Sequence, residues 1–315
     1  RPAVAAHKQV MLSKALEIYL SNHERGRDAK FIKYAKFKWD AFLAIVKDMP
    51  LEYLSRSHAK IYRDSRFEQG VKTASIRREL NTLAAIVRKA FLEMEIDRNN
   101  PLSSIQIAGF GQDSVRREPF NQNQLKVLID DCLKLNDDKR RLLLLIALTG
   151  MRLNEAIGLR YQDIVLSENG EGISYLVICP HSKRRLKTKE SQREIPLSPL
   201  LSQVVNQQLE SANENYFLFP SFVNEKGTLS DSLSSTLNKY IQVTLGIPKS
   251  IHCLRHTMRD LLREAGITKD VIDSIGGWTS GDISSLYGHG HSLKMKLNAL
   301  TKAYEYYENN CVYVQ

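Results

Sequence analysis

The stretch DKRRLLLLIALTG, residues 138–150, limits the possible folds more than any other part of the chain. Its apolar run, Leu142 to Leu148, is too short to cross a bilayer, which takes about 20 residues. It is long enough for about two turns of helix, and Gly150 stands where a helix end favours glycine. A helix that is apolar around most of its circumference must be enclosed on most sides. The sequence therefore predicts a helix buried on most of its sides.

The flanking patterns supply what encloses it. NQNQLKVLIDDCL reads as an amphipathic helix, and MRLNEAIGL as a short helix ending at Gly158. The β-branched and aromatic ISYLVICP and the shorter REIPL predict two strands. The basic, polar HSKRRLKTKESQ between them reads as a hairpin tip. From Pro199 the pattern returns to helix through LLSQVVNQQLE, LSSTLNKYIQVTL, LRHTMRDLLREAG, KDVIDSIGG and LKMKLNALTKAYEYYE.

Residues 10–100 form a separate helical region. VMLSKALEIYL is followed by KFIKYAKFKWDAFLAIV, with Phe31, Tyr34, Ala35, Phe42 and Val46 near one face. SHAKIYRDSRFEQG follows a Ser57 cap. SIRRELNTLAAIVRKAF follows a Ser75 cap and turns Ile76, Leu80, Leu83, Val87 and Phe91 inward. Pro101, Gly109, Gly111 and paired serines then mark a linker. The expected class is mainly α with a small antiparallel β-sheet, in two domains. The expected division is a helical domain at 1–104, a linker at 105–118, a larger α+β domain at 119–290 and a C-terminal helix or tail at 291–315.

Charge adds a partner class. The net charge is +10, and residues 1–100 hold 20 Lys and Arg against 12 Asp and Glu, a net of +8. The rest of the chain holds 25 against 23, a net of +2. A basic helical region beside a near-neutral one suggests a polyanion, with DNA first. Lys30, Lys33, Lys36, Arg77, Arg78, Arg88 and Lys89 are the candidate phosphate contacts. A solvated basic surface is the alternative, and the salt dependence of binding separates the two. Cys132, Cys179, Cys253 and Cys311 are scattered without a C-x-x-C pair, so reduced thiols in a cytoplasmic protein are expected rather than a zinc knuckle. No signal peptide is visible, and a start at Arg1 leaves room for an upstream segment.

Five short segments carry residues suited to chemistry: Arg152 in TGMRLNEAIGL, Lys187 in RLKTKES, His252, Arg255 and His256 in HCLRH, Trp278 in IGGWTSGD, and Tyr287 in SSLYGHG. Singly, each has an ordinary explanation. Arg152 can pair with Glu155 on a helix surface, Lys187 can be a solvated loop residue, and the histidines can be core groups. Tyr287 is one tyrosine among thirteen.

Their order and spacing are more specific. Over nearly the whole chain, and most closely from Thr149 to Leu159 and from His252 to His289, the sequence resembles the tyrosine recombinases, the integrase family of phage and mobile-element proteins. Members of that family show an Arg in a TG-x-R-x-x-E turn, a Lys on a β-hairpin, an H-x-x-R pair, a His or Trp, and a Tyr nine residues on. Here these are TGMRLNE, KTKESQREIPL, HCLRH, and Trp278 nine before Tyr287. GVKTASIRRELNTL is similar to the family's core-binding module, a SAM-like four-helix unit. Trp278 departs from the commoner His and can only donate a hydrogen bond.

The resemblance implies a DNA strand transferase with Tyr287 as nucleophile and Arg152, Lys187, His252, Arg255 and Trp278 around the scissile phosphate. Glu155 and His256 would support them. It implies no cofactor and no metal. The partners are double-stranded DNA, a dimer of this chain per site, a tetramer in the synapse, and accessory DNA-bending proteins; no membrane is involved, and the place of action is the cytoplasm, at the nucleoid. In the family the C-terminal helix packs on a neighbouring protomer; folding back onto its own domain is the alternative. Rival functions are a type IB topoisomerase or telomere resolvase, and a DNA-binding protein without catalysis. A metal hydrolase using His252 and His256 is disfavoured, because Cys253 stands where the helical zinc motif has Glu.

Overall fold

The computed structural model describes residues 10–115, 117–167, 172–212, 216–278 and 290–311, without the side chains of residues 189, 212, 310 and 311. Tyr287, His289, and Cys311's side chain lie outside that description. The chain divides into two compact units, 1–116 and 117–315.

The first unit holds α1 (Leu12–Ser21), α2 (Ala29–Val46), α3 (Arg56–Glu68) and α4 (Thr73–Glu93). The inward stripe of α4 contains Ile76, Leu80, Leu83, Val87 and Phe91, as its 3.6-residue period predicts. On α2 the buried stripe is Ala35, Trp39, Phe42 and Val46, while Tyr34 is exposed. Two expected caps are corrected. Helix α3 starts after Ser55, not Ser57, with Ser55 and His58 satisfying each other's backbone at the helix start. Helix α4 starts at Thr73, and Asp113 rather than Ser75 supplies the oxygen, accepting from the Thr73 N–H at 2.6 Å and from the Thr73 hydroxyl.

One buried carboxylate joins three of these helices. Glu79 of α4, 2% exposed, accepts from Lys38 of α2 at 2.6 Å and from Arg66 and Tyr62 of α3 at 2.8 and 2.9 Å. Burial raises the Glu79 carboxyl, but its hydrogen bonds outweigh that and hold it below its ordinary value. Much of the segment expected as a linker is packed instead. Ile105 and Ile107 are buried in the helical core, Arg63 donates to the Gln106 carbonyl at 2.9 Å, and Arg77 stacks on Phe110.

The second unit is built around α6 (Asp138–Thr149), every residue of which from Leu142 to Thr149 is buried. It packs against α5 (Gln122–Leu135), α8 (Pro199–Ala212) and α10 (Ile251–Glu264). Gly150 ends α6 with φ 65°, the left-handed conformation that glycine adopts most readily. Then come α7 (Leu153–Ile157) and an antiparallel sheet of β1 (Ile164–Val165), β2 (Tyr175–Ile178) and β3 (Arg193–Pro196), in that order. Tyr175 pairs with Pro196 and Ile178 with Arg193. A small β4–β5 hairpin (Val223–Asn224, Gly227–Thr228) was not legible in the sequence.

Helix α9 (Ser230–Lys239) runs into a π turn at Tyr240–Thr244, and α11 (Lys269–Gly276) follows α10. Helix α12 (Leu293–Cys311) packs against α10, α5 and β3 of its own unit, burying Ala299, Leu300 and Ala303. Tyr304 donates to the Leu148 carbonyl, and Lys296 to the Glu194 carbonyl at 3.1 Å. Among the described residues no helix is long and apolar enough to cross a membrane. Cys132, Cys179 and Cys253 are free thiols.

Candidate active site

The left-handed turn at Gly150 sets the site. It ends the central helix and leaves Arg152 extended at the start of α7, with φ −75° and ψ 147°. Glu155, one turn on, reaches back. Its carboxylate accepts from the Arg152 backbone N–H at 3.0 Å and from the Arg152 guanidinium at 2.5 Å. The same guanidinium nitrogen lies 3.0 Å from Ser191 Oγ. The Arg152 side chain keeps 26% of its surface exposed, whereas Glu155 keeps 3%, so the arginine is the member available to a ligand.

Helix α10 brings in the second arginine. Arg255 is 5% exposed and donates to the Gly150 carbonyl at 2.6 Å and to the Gly277 carbonyl at 3.4 Å. Its guanidinium lies 4.4 Å from the centre of the Trp278 ring, and Arg259, one turn on, lies 5.2 Å from it. Arg259 is held in turn by Asp273 at 3.5 Å. The Trp278 ring also covers Gly276 so closely that a Cβ there would fall 1.8 Å from the indole. His252 is the exposed residue in an otherwise buried first turn of α10, three residues before Arg255, with its ring 5.3 Å from that of His256.

Lys187 is exposed in the β2–β3 connection. Two residues anchor that connection to Arg152. Thr188 Oγ1 lies 3.2 Å from Ser191 Oγ, which in turn meets the Arg152 guanidinium. The structure therefore gathers Arg152, Glu155, Arg255, Trp278 and His252 about the Gly150 turn, with Lys187 on a connection joined to them. Tyr287 lies outside the described residues.

Three participants were not legible in the sequence. Arg193 of β3, 3% exposed at its side chain, pairs with Glu155 at 2.9 Å. Arg259 covers Trp278, and Arg117 adds positive charge beside His252 and His256. A buried arginine carries no mark in a sequence, where Arg normally reads as surface. Only the position of Arg193 at the start of a predicted strand hints at it.

The cluster is short of negative charge. Arg152, Arg193, Arg255 and Arg259 gather here against two carboxylates, Glu155 and Asp273. Burial pushes the Arg255 guanidinium down to about 9, and the charges of Arg152 and Arg193 push the same way. It stays protonated at neutral pH, but against electrostatic resistance that a bound anion would relieve. Burial likewise lowers His252, helped by His256, Arg117, Arg255 and Arg152. Glu155 is raised by burial but lowered more by Arg193 and Arg152, so it remains ionised. Such a site fits an oxyanion with several acceptor oxygens.

In the first unit, Lys30, Lys33 and Lys36 are exposed on α2, and Arg78 and Arg88 on α4. Arg77 is half-buried against Phe110, and Lys89 pairs with Glu93 at 2.6 Å. Two exposed aromatics, Tyr34 and Phe37, lie among the α2 lysines.

The comparisons with known proteins agree with this architecture. Residues 118–293 match the Phage integrase family. The tyrosine recombinase XerC of Staphylococcus aureus (strain USA300 / TCH1516) is 23% identical over 279 residues, covering 80% of this chain and 87% of that protein. The tyrosine recombinase XerH of Campylobacter jejuni is 26% identical over 193 residues, covering 58% and 51%. Among solved structures, a lambda integrase tetramer bound to a Holliday junction superposes with a TM-score of 0.65 at 18% identity, covering 86% of this chain and 78% of that one. XerH bound to palindromic difH in a post-cleavage complex gives 0.62 at 17% identity, covering 95% and 82%. With more than half its length matched by the family's pattern, this chain belongs to the phage integrase family, the tyrosine recombinases.

Proposed function

We propose that this chain is a site-specific DNA recombinase that integrates or excises a mobile element through a 3′-phosphotyrosyl intermediate. The observation that carries the reading is the anion-deficient cluster of Arg152 and Arg255 about the Gly150 turn, in a member of a family whose solved relatives are bound to DNA. The Tyr287 phenol oxygen attacks the scissile phosphorus as the bond to the 5′ oxygen breaks. The phenol proton leaves to a base or water, and the 5′ oxygen takes one from Lys187, which is exposed and long enough to move. Arg152 and Arg255 bear on the non-bridging oxygens, where charge grows in the transition state. Trp278 and His252 donate hydrogen bonds. The free 5′ hydroxyl of another strand reverses the step, so no external energy source is required.

In this reading the helical unit is the core-binding DNA domain, with the segment 105–118, packed on that unit through Ile105, Ile107 and Phe110, leading from it to the catalytic domain at 119–290. Lys30, Lys33, Lys36, Arg77, Arg78, Arg88 and Lys89 meet DNA phosphates. The assembly is a dimer on each site and a tetramer in the synapse, as in the lambda integrase tetramer on its junction. The test is a suicide DNA substrate nicked beside the cleavage point. The wild type becomes covalently attached to DNA and Tyr287→Phe does not. Attachment by the Phe variant refutes the assignment.

A further inference from the structure

Arg193 is buried, charged and outside the set read above as meeting DNA, so its place in the site needs a reason. Burying a guanidinium is costly unless its donors are used. Here Nη2 donates to Glu155 Oε2 at 2.9 Å, Nη1 to the Ser191 carbonyl at 2.7 Å and Nε to the Ile275 carbonyl at 2.7 Å. These acceptors belong to α7, to the β2–β3 connection and to the last turn of α11. Each of those elements carries or leads to a different member of the proposed catalytic set. Helix α7 begins at Arg152, the connection carries Lys187, and α11 passes through Gly277 to Trp278 and on toward Tyr287. The chain runs tightly against this guanidinium. A Cβ at Gly277, whose φ is 62°, would lie 2.9 Å from Arg193 Nη1.

We propose that Arg193 is a positioning residue that registers three segments of the site against one another: the Arg152–Glu155 pair, the Lys187 connection and the chain leaving α11. The proposal rests on the catalytic reading above. Arg193 also acts on charge. Glu155 is shared between two guanidiniums, with Oε1 on Arg152 and Oε2 on Arg193. Arg152 is therefore only partly neutralised and keeps positive charge for a phosphate. A lysine at this position would retain the charge, but its compact ammonium cannot reproduce a planar fork aimed at three acceptors.

The experiment measures single-turnover covalent attachment to the nicked suicide substrate, DNA affinity, and thermal unfolding of the full chain. Arg193→Lys is expected to attach on the order of 100-fold more slowly, the scale of a roughly 1 Å misplacement in an active site. Its DNA affinity stays at the wild-type value. Arg193→Ala is expected to recover attachment when methylguanidinium is added, and not with methylammonium. Attachment by Arg193→Lys at the wild-type rate, or a loss of DNA affinity matching the loss of rate, overturns the proposal. Failure of methylguanidinium to rescue Arg193→Ala does the same, and decides alone should the lysine variant not fold. A wild type that never attaches to DNA overturns the catalytic reading instead, a result distinct from failure of the variants.

Discussion

Gly276→Ala puts the packing of Trp278 to the test. An ideal Cβ at this position lies 1.8, 2.0 and 2.3 Å from three carbons of the indole. Carbon atoms settle at about 3.5 Å or more, so the ring must retreat by about 1.7 Å, the difference between 3.5 and 1.8. Its freedom to do so is small. The Trp278 backbone N–H donates to the Asp273 carbonyl at 3.1 Å, which fixes the main chain that carries the ring, and Gly277 is pressed against Arg193. Arg255 and Arg259 both stand against the ring. Moving it weakens both cation–π contacts, each worth about 0.5–2 kcal/mol, for a predicted loss of about 1–4 kcal/mol. A shift above about 1 Å next to Arg255 should also slow cleavage on the order of 100-fold. Denaturant unfolding reads the first effect and suicide-substrate attachment the second. Trp278 emission gives a third reading, isolated by placing the substitution in a Trp39→Phe background. A variant with unchanged stability, emission and cleavage would refute the inferred position of the ring.

Glu155→Ala should cost about 3–5 kcal/mol in denaturant unfolding, because it leaves the guanidinium of Arg193 buried and without its carboxylate. His252 and His256 are held below their ordinary values, so NMR titration of the free protein should place both midpoints under about 6.5. The sign for stability follows: as pH falls through about 6.5 the unfolded chain takes up protons that these two folded histidines resist, so their contribution to stability is lost downward in pH. Bound DNA should move both midpoints upward. Replacing Lys33 and Arg88 together by Ala should reduce the slope of log affinity against log salt by about 1.8, two phosphate contacts at about 0.9 each. An unchanged slope would leave these residues as ordinary surface.

What was legible in the sequence followed from strong local signals. The all-apolar α6, the stripe of α4 and the glycine stop at Gly150 are each set within one helix, so neighbouring residues suffice to read them. Trp39 was missed because Tyr34, an aromatic of similar appeal, lies one position off the true stripe and its ring lies beside Lys38 instead. The two-residue strands β1, β4 and β5 are too short to show alternation. The start of α4 was misplaced because its cap, Asp113, comes from forty residues away. Of the residues gathered at the Gly150 turn, those with a spacing pattern could be named from the sequence, whereas Arg193 and Arg259 stand out only by their contacts with other elements. Their roles depend on tertiary distance, which spacing does not encode.

Arg255 holds the Gly150 carbonyl that ends α6, whose last two turns, Leu142 to Thr149, are wholly buried in its own domain. Amide groups of such a helix exchange with solvent only when the whole domain opens. The floor of the site should therefore be among the slowest-exchanging parts of the molecule, while the exposed His252 and Lys187 stand at its rim. Mild heat or denaturant should disable strand cleavage while the arginine pair still retains its grip on an oxyanion, so capture of DNA and its cutting should fail at different temperatures.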